Sequence, residues 1–344
     1  MNRRIAVLAL LAGCGIETTG GDEGRGKVAR AAITVEANEV SCSSPAATAF
    51  GATGVCLCED VSLVGSGLTV MSSEKLAVDV GVNGESSVVG DWQISGTLDT
   101  WGNVSGVGQL EVGNDLVVGG DLSTVGNLKV GGAVRAKGKV TAVGSSGADR
   151  APYLRETPPC GCDPAQLLDV KAAVEAVRDQ NDNASIGLQS RVKSVGELEL
   201  ELSGGRYFID GLTSVGGLKL HVTKPSALYI AGDLKTVGTD TFDVDENASL
   251  DLYVAGSIEN VGAWSVGEGT LAGVVRLFIG GDGSSIDVVG EKDFVGAIYA
   301  PTSDLKLVGD MNLRGALFAK SLSGTGHLLL DHAKNAAPAA GTCR

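Results

Sequence analysis

Glycine recurs at every sixth position between residues 84 and 144 of this 344-residue chain. The ladder consists of Gly84, Gly90, Gly96, Gly102, Gly108, Gly120, Gly126, Gly132, Gly138 and Gly144. Its one gap falls at Asn114, and asparagine is the non-glycine residue that best tolerates a positive φ. Apolar or small residues stand two and four places after each glycine, with largely polar residues between them. This alternation within a period of six predicts short strands that bury one side and end at a glycine corner.

The hexads group in threes, because Val-Gly pairs stand 18 residues apart along the ladder. The pairs are Val89-Gly90, Val107-Gly108, Val125-Gly126 and Val143-Gly144. Three short strands per repeat form a triangular coil, and coils stacked about 4.8 Å apart form a parallel β-helix. We therefore predict an all-β fold, with triangular coils of 18 residues in the N-terminal half. A narrow lumen filled with Leu and Val is consistent with an aromatic content of 4%.

The order of large and small inward residues favours a right-handed coil. Left-handed hexapeptide coils place the small inward residue two positions before the large one. Here the large residue comes first, as Leu122 does before Thr124. We therefore expect the opposite hand.

The same pattern continues downstream with wider spacing and predicts a second β-helix segment over residues 196–332. Its Val-Gly pairs end at Gly196, Gly216, Gly238, Gly262, Gly290 and Gly309. The last coil ends in a Leu-rich run followed by Asp331 and His332, which predicts an open end with a modest polar stop. The first segment is predicted over residues 56–144, and residues 333–344 form a tail.

Residues 145–195 interrupt the pattern between the two segments. Asp163 is a suitable N-cap, and Pro164 suits the first helical position. The apolar stripe that follows predicts one amphipathic helix near residues 164–178, lying across the β-helix. Cys160 and Cys162 are expected to tie this insertion down.

The N-terminus resembles a bacterial lipoprotein signal. Residues 1–14 contain Arg3 and Arg4, a short apolar run, and the sequence Leu-Ala-Gly-Cys ending at Cys14. The resemblance implies cleavage before Cys14 and lipidation of its thiol, and Gly15 implies the outer membrane by analogy within that family. Seven apolar residues are too few to span a bilayer, so acyl chains are expected to be the anchor. Residues 15–55 are then a flexible tether.

Setting Cys14 aside from the 7 cysteines leaves an even number in a chain expected to be exported. These disulfide candidates are Cys42, Cys56, Cys58, Cys160, Cys162 and Cys343. Their connectivity stays open at this stage. The two Cys-x-Cys pairs could instead bind a metal, but zinc sites space their thiols more widely and add nearby histidines. Disulfides are therefore the prediction.

Charge and residue placement argue against nucleic-acid binding and against catalysis. The formal net charge is −14 and few aromatics are available for stacking, so phosphates would be repelled. The outward acids Asp91, Asp99, Glu111, Asp115 and Asp121 are scattered in phase, which predicts a solvated surface in place of a paired-carboxylate hydrolase site. We expect no catalytic residues and no cofactor.

The densest acidic cluster lies around residues 240–251. An EF-hand loop starting at Asp243 would need Gly and Glu where the chain has Ala248 and Val254, so that motif fails. A loose Ca²⁺ site formed by Asp243, Asp245 and Asp251 remains a weak candidate, and no other metal site is predicted.

Two stretches resemble an uncharacterised β-helical domain family of exported bacterial proteins. They are the segment 179–187 (DQNDNASIG) and the segment from VGAIYAP at 295–301 through GALFA at 315–319 to Leu329. The resemblance covers roughly residues 160–332. Some members of that family accompany pilus or surface-assembly genes. The coil is also similar to that of bactofilins, but those cytoskeletal proteins lack a lipoprotein signal and such cysteines, so their role does not transfer.

These features lead to one functional hypothesis and one alternative. The hypothesis is a non-enzymatic outer-membrane lipoprotein, facing either the periplasm or the cell surface, that acts as a rigid structural, adhesive or assembly component. Its expected partners are the membrane, other surface proteins or envelope polysaccharide, and copies of itself. The alternative is an envelope protein that binds or cleaves polysaccharide, which exposed aromatics at Trp101 and Trp264 would favour.

Overall fold

The computed structural model describes residues 53–144 and 149–333, and the backbone of residues 33–36 and 39–42. The described chain is almost entirely β-strand, arranged as a parallel β-solenoid. Strands of the N-terminal part are β1 (Ile33–Glu36), β2 (Glu39–Cys42), β3 (Val55–Leu57), β4 (Val61–Met71), β5 (Val80–Val82), β6 (Ser86–Ile94), β7 (Leu98–Thr100), β8 (Val104–Val107), β9 (Leu110–Val112), β10 (Leu116–Val118), β11 (Leu122–Val125), β12 (Leu128–Val130), β13 (Ala133–Ala136), β14 (Val140–Val143) and β15 (Asp149–Arg150).

The helices and the remaining strands follow in the C-terminal part. The helices are α1 (Val170–Val177) and α2 (Asn183–Ile186). The strands are β16 (Arg191–Val195), β17 (Leu198–Leu202), β18 (Gly205–Ile209), β19 (Gly211–Val215), β20 (Leu218–Val222), β21 (Ser226–Ile230), β22 (Leu234–Val237), β23 (Asp240–Val244), β24 (Leu250–Val254), β25 (Ile258–Val261), β26 (Trp264–Val266), β27 (Val275–Ile279), β28 (Ser285–Val289) and β29 (Lys292–His332).

The solenoid has three faces, each a stack of parallel strands from successive coils. The first face contains β16, β19, β22, β25, β28, parts of β29, the first halves of β4 and β6, and then β8, β11 and β14. The second face includes β17, β20, β23, β26, the second half of β6, β9 and β12. The third face includes β18, β21, β24, β27, β3, β5, β7, β10 and β13. In the N-terminal coils, register partners lie 18 residues apart, as in the column Leu98, Leu116 and Val134. This confirms the predicted all-β parallel β-helix and its coil length, while the right hand of the coil stays a prediction.

The two segments stack in the reverse of their chain order. In β29, Leu322 lies beside Val61 and Leu328 beside Leu68, both in parallel register. The C-terminal segment therefore precedes the N-terminal segment along the axis, and β16 and β15 lie toward opposite ends. The open end predicted after the Leu-rich run is wrong, because the backbone groups of that coil pair with β4 instead of facing solvent.

A return segment, residues 151–190, connects the two ends along the outside of the third face. Asn83 exchanges hydrogen bonds with the backbone of Cys160 at 2.9 and 3.0 Å, near the middle of the path. Farther along, the Leu168 amide donates to the Tyr299 hydroxyl oxygen at 2.9 Å, and the Asn183 side chain donates to the Phe208 carbonyl at 2.6 Å. The interruption predicted between the segments is thus the chain's path back to the start of the stack.

The helix in the return segment begins later than the predicted residue 164. The Asp163 carboxylate accepts a hydrogen bond from the Ala165 amide at 3.0 Å, and the Asp163 carbonyl accepts from Gln166 at 2.8 Å, closing a separate turn. Helix α1 starts after Asp169, whose carboxylate accepts from the Ala172 amide at 3.0 Å. The stripe predicts a longer helix because it includes Leu167 and Leu168, which are buried but precede α1.

A column of aromatic side chains on the outside of the third face packs beneath α1. Its members are Phe208, Tyr229, Tyr253, Phe278, Tyr299 and Phe318. The rings of Tyr253 stack on Tyr229 and Phe278 with centroids 4.7 and 4.6 Å apart. The buried face of α1, including Val174 and Val177, covers this column. The return segment is therefore held by a second apolar core outside the lumen.

The observed boundary of the second segment and the structure within the predicted tether also differ from the sequence-based predictions. The second segment begins at Arg191, five residues before the predicted residue 196, because β16 pairs with β19. Strands β1 and β2 form an antiparallel pair inside the predicted tether, where β-branched residues favour strand. Residues 1–14 and 334–344 lie outside the described residues. No helix in the described ranges is long and apolar enough to cross a membrane.

Two glycines on the first face should respond oppositely to alanine. Gly126 has φ +133°, and an added Cβ would lie 1.9 Å from the Gly108 carbonyl oxygen. Gly106 lies inside a strand, and its Cβ would meet only the Val88 oxygen, at 3.6 Å. We expect Gly126→Ala to lower the free energy of unfolding by about 1–3 kcal/mol, and Gly106→Ala to raise it by about 0.4–1 kcal/mol. Urea titration of both variants measures the difference, and equal shifts would contradict the corner geometry.

Candidate functional site

The first face carries an uncharged array of hydroxyl and valine side chains over six consecutive coils. We call this array the Ser/Val face. Its outward residues are Ser323 and Thr325, Ser62 and Val64, Ser87 and Val89, Ser105 and Val107, Ser123 and Val125, and Thr141 and Val143. Parallel register places each hydroxyl beside a hydroxyl, and each valine beside the next valine or Thr325. The result is two straight columns with a repeat of about 4.8 Å.

The valines of this face are exposed although they are large and apolar. Val64, Val89, Val107 and Val125 expose 50%, 47%, 52% and 50% of their surface. Each directly follows an inward-pointing position of its strand and precedes a glycine corner, so the alternation of the strand directs its Cβ away from the lumen. A contiguous apolar stripe on a soluble surface marks an interaction site more often than isolated valines do.

The first face changes character in the C-terminal coils. The valine column continues there, but charged residues replace the hydroxyl column at every position except Thr213, and four of them form ion pairs across coils. The Lys235 ammonium lies 2.8 Å from Glu259, and Lys306 lies 3.3 Å from Asp287. The uncharged area is therefore confined to the N-terminal coils and the last coil of β29.

Two disulfides fasten the return segment where the two segments of the solenoid meet. Cys56 bonds to Cys160, and Cys58 bonds to Cys162, each across 104 residues of sequence. Cys56 lies in β3, and Cys58 directly follows it; β3 pairs with residues 317–319 of β29. Of the other cysteines, the side chains of Cys14, Cys42 and Cys343 lie outside the described residues.

The weak Ca²⁺ candidates do not come together. Asp251 lies on the outside of the third face, 2% exposed, where its carboxylate accepts two hydrogen bonds from the Arg276 guanidinium at 2.6 Å. Asp245 lies 3.0 Å from the His221 ring, and Asp243 is exposed on the second face. The candidate site was wrong in including Asp251, because consecutive strands place it on a different face. Within the described ranges, no group of three or more His, Cys, Asp or Glu side chains is placed to hold a metal.

Several outward acids have structural roles at the coil corners. Asp91, Asp115 and Asp121 each accept a hydrogen bond from a backbone amide of the next coil, at 2.9, 2.8 and 2.7 Å. The bond from the Ala133 amide, followed by that from the Arg135 side chain, lowers the pKa of Asp115. Corner acids thus stabilise the stacking of coils.

Asp99 departs from the expected solvated surface. It is 5% exposed because the return segment covers it, and Arg155 of that segment forms an ion pair with it. Burial raises the pKa of Asp99, and the guanidinium of Arg155 opposes that shift. The aromatics that would favour sugar binding are also separated, since Trp264 is buried in the lumen at 3% exposure while Trp101 is 36% exposed at a corner.

A buried polar cluster that the sequence analysis missed lies inside the lumen beside the corners of Gly238, Gly262 and Gly290. Its members are Thr236, Asp240, Asn260 and Lys292. The Asn260 amide nitrogen donates to Asp240 at 2.7 Å and to Thr236 at 2.9 Å. Burial raises the pKa of Asp240 and lowers that of Lys292 to about 8.

Together these features define a parallel β-solenoid. Its return segment is held against the outside of the third face by an aromatic core and two disulfides. The chain belongs to the family described as Domain of unknown function (DUF7305), whose model matches residues 162–336. That range nearly coincides with residues 160–332, where the sequence resembles a β-helical family of exported proteins. A comparison with curated proteins found no match.

Among solved structures, the chain is similar to an ice-binding protein from an Antarctic ascomycete, Antarctomyces psychrotrophicus. The two are 13% identical with a TM-score of 0.34, over 83% of this chain and 98% of that chain. This degree of overlap transfers no ligand or activity to the present protein.

Proposed function

We propose that this protein is a non-enzymatic lipoprotein of the bacterial cell envelope, a rigid rod that assembles side by side with copies of itself through the Ser/Val face. The Ser/Val face is the observation that carries the proposal. The rod itself is supported by the continuous stacking of coils across the meeting point of the segments.

The absence of charge on the Ser/Val face favours a second copy of the same chain as its partner. The whole chain carries a formal charge of −14, so two copies repel each other wherever charged faces meet. The two columns of the Ser/Val face contain no charged side chain, so two copies can meet there without bringing like charges together. A second copy also has the same repeat of about 4.8 Å, so valines of one rod can lie between valines of the other in every coil.

The size of the face limits the strength of this association. Six coils span roughly 25 Å, and two columns of outward residues are about 7 Å apart, which gives an area on the order of 200 Å². Stable complexes in solution bury roughly 800 Å² per partner. Lateral association should therefore be weak in solution and should depend on a high local concentration, which anchoring of many copies to one membrane supplies.

Lipidation at Cys14 is the first part of the proposal to test. We expect Cys14→Ser to shift the chain from the membrane fraction to the soluble fraction, because the acyl chains are the proposed anchor. Labelling with a radioactive or clickable fatty acid reports the modification directly. Unchanged partitioning of Cys14→Ser would reject the lipoprotein assignment. Protease treatment of intact cells that express the wild-type chain reports which side of the outer membrane the rod faces.

Assembly through the Ser/Val face is the second part. Fluorescently labelled full-length chains anchored in supported bilayers should show energy transfer between copies. We expect Val89→Lys with Val107→Lys to reduce that transfer at least tenfold, because two buried ammonium groups would face a second copy without partners.

Gln93→Lys with Glu111→Gln is the matched control, because it also changes the net charge by two units and because both residues lie in register on the second face of neighbouring coils. It adds a similar charge and should leave the transfer close to that of the wild type. Equal transfer in all variants would refute this face as the contact. Loss of binding to isolated envelope polysaccharide in the Val variants, with no transfer between wild-type copies, would favour the polysaccharide alternative.

A further inference from the structure

The lumen of this solenoid contains a lysine that is completely buried. Lys292 is 0% exposed, and Asn260 and Asp240 are 1% and 2% exposed. The Lys292 ammonium nitrogen contacts the side-chain oxygen of Asn260 and the Gly262 carbonyl, and it lies 3.0 Å from the Val289 carbonyl. An amine is thus placed directly against a side-chain amide in an environment without water access.

A carboxyl group lies on the other side of the same amide. The Asn260 amide nitrogen lies 2.7 Å from an Asp240 carboxyl oxygen, and the other Asp240 oxygen accepts from the Leu218 amide at 3.0 Å. The Thr236 hydroxyl also contacts the Asp240 carboxyl. The three functional groups are therefore arranged in the order amine, amide, carboxyl.

Burial favours the uncharged forms of the Lys292 amine and the Asp240 carboxyl group. Separated charges are costly in an apolar lumen, and a proton moved from the Lys292 ammonium to the Asp240 carboxylate removes both of them. The lowered pKa of Lys292, to about 8, and the raised pKa of Asp240 both act in this direction. A neutral, desolvated lysine amine is a nucleophile, and its fixed position removes much of the entropic cost of reaction.

We infer that Lys292 and Asn260 form an intramolecular amide cross-link, with Asp240 as the group that transfers the proton. The Lys292 nitrogen attacks the Asn260 side-chain carbonyl carbon and forms the new C–N bond. The Asp240 carboxyl gives its proton to the departing Asn260 nitrogen and regains one from the attacking nitrogen. The bond from that carbon to the Asn260 nitrogen breaks, and one ammonia leaves, so no oxidant or other co-reactant is needed.

Such a bond would close a covalent loop over 32 residues, linking one coil to the next across the corner. The two disulfides fasten the outside of the solenoid, whereas this bond would lie inside it. It would also persist under reducing conditions, which open disulfides. The bond requires neither the lipid anchor nor assembly through the Ser/Val face.

Mass spectrometry of the purified full-length chain tests the bond. After reduction, denaturation and digestion, we expect the peptides containing Asn260 and Lys292 to be joined and lighter than their sum by one ammonia. Trypsin should also fail to cleave after Lys292. Recovery of the two peptides separately and unmodified would overturn the inference, as would ammonia loss confined to the Asn260 peptide, which indicates cyclisation of that residue alone.

Variants test the role of each group. Lys292→Met should abolish the joined peptide because it removes the nucleophile. Asp240→Asn should reduce the joined fraction at least tenfold, and the matched control Asp243→Asn, on the exposed side of the same strand, should leave it unchanged. Full cross-linking in Asp240→Asn would refute proton transfer by Asp240. If either core variant fails to fold, the wild-type mass alone decides whether the bond exists.

Discussion

Leu128→Asp should lower the free energy of unfolding by at least about 4 kcal/mol, because it removes a buried leucine and places a carboxylate in the lumen. Leu128 is 4% exposed in β12 and lies in register with Leu110 on the second face. The neighbouring side chains along this column are apolar, so the carboxyl would either stay protonated or open the coil. Thermal and urea unfolding, followed by circular dichroism, measure the loss.

The adjacent residue is the control for this prediction. Lys129 points outward, and its ion pair with Glu111 is exposed to solvent. Lys129→Gln should therefore change the stability by less than about 0.5 kcal/mol. The two substituted residues are adjacent in β12 and differ in whether the side chain points into the lumen or toward solvent. Similar losses for both would contradict the inward and outward assignments along the hexad, and with them the three-sided coil.

The coils of the N-terminal half could be predicted from the sequence because the short repeat specifies both their inward residues and their register. Each glycine corner is followed by an inward apolar residue, and the register of one coil on the next equals the length of the repeat. Leu98, Leu116 and Val134 therefore stack as the period of 18 requires. Where corners carry longer loops, as between Gly262 and Gly290, the Val-Gly pairs still mark the register.

The reversed order of the segments could not be predicted in this way. Every coil offers the same backbone hydrogen bonds above and below, so periodicity does not say which coil lies next to which. The pairing of β29 with β4 joins residues far apart in sequence. One signal was present, since Cys56 and Cys58 match Cys160 and Cys162 in spacing, and both bridges span 104 residues. Without the fold, the other connectivities were equally acceptable.

The outward positions were harder to interpret than the inward ones. An outward phase means that a side chain points away from the lumen, but the return segment buries the outside of the third face. The outward phase therefore predicts a solvated Asp99, and the acidic cluster predicts a Ca²⁺ ligand at Asp251, whereas both side chains are buried. The aromatic residues at outward positions, such as Tyr229 and Tyr253, were the available signal, because large rings repeated in one column indicate a covering layer.

The internal cluster was visible in the sequence as a departure from the hexad pattern. Two places after a Val-Gly corner, an inward apolar residue is expected, yet Asp240 and Lys292 occupy that position after Gly238 and Gly290. Trp264 occupies the equivalent position between them. Polar residues at lumen positions on alternate coils require partners, and this requirement could have identified the site before the structure.

The ion pair of Asp251 and Arg276 supports the prediction with the second large effect. Both side chains lie beneath the return segment, with 2% and 11% of their surface exposed. Asp251→Ala should lower the free energy of unfolding by about 3–5 kcal/mol, because it leaves a buried guanidinium without its carboxylate. By comparison, Glu197→Ala removes an exposed partner of Lys219 and should cost less than about 1 kcal/mol.

A double variant separates the cost of a lone charge from the value of the pair. In Asp251→Leu with Arg276→Met, neither charge is buried and the apolar side chains can pack against Tyr253 and α1. We expect this variant to regain most of the stability lost in Asp251→Ala, since buried ion pairs contribute little net energy compared with apolar residues of similar volume. Additive losses in the double variant, measured in the same urea titrations, would show that the pair itself stabilises the contact between the return segment and the third face.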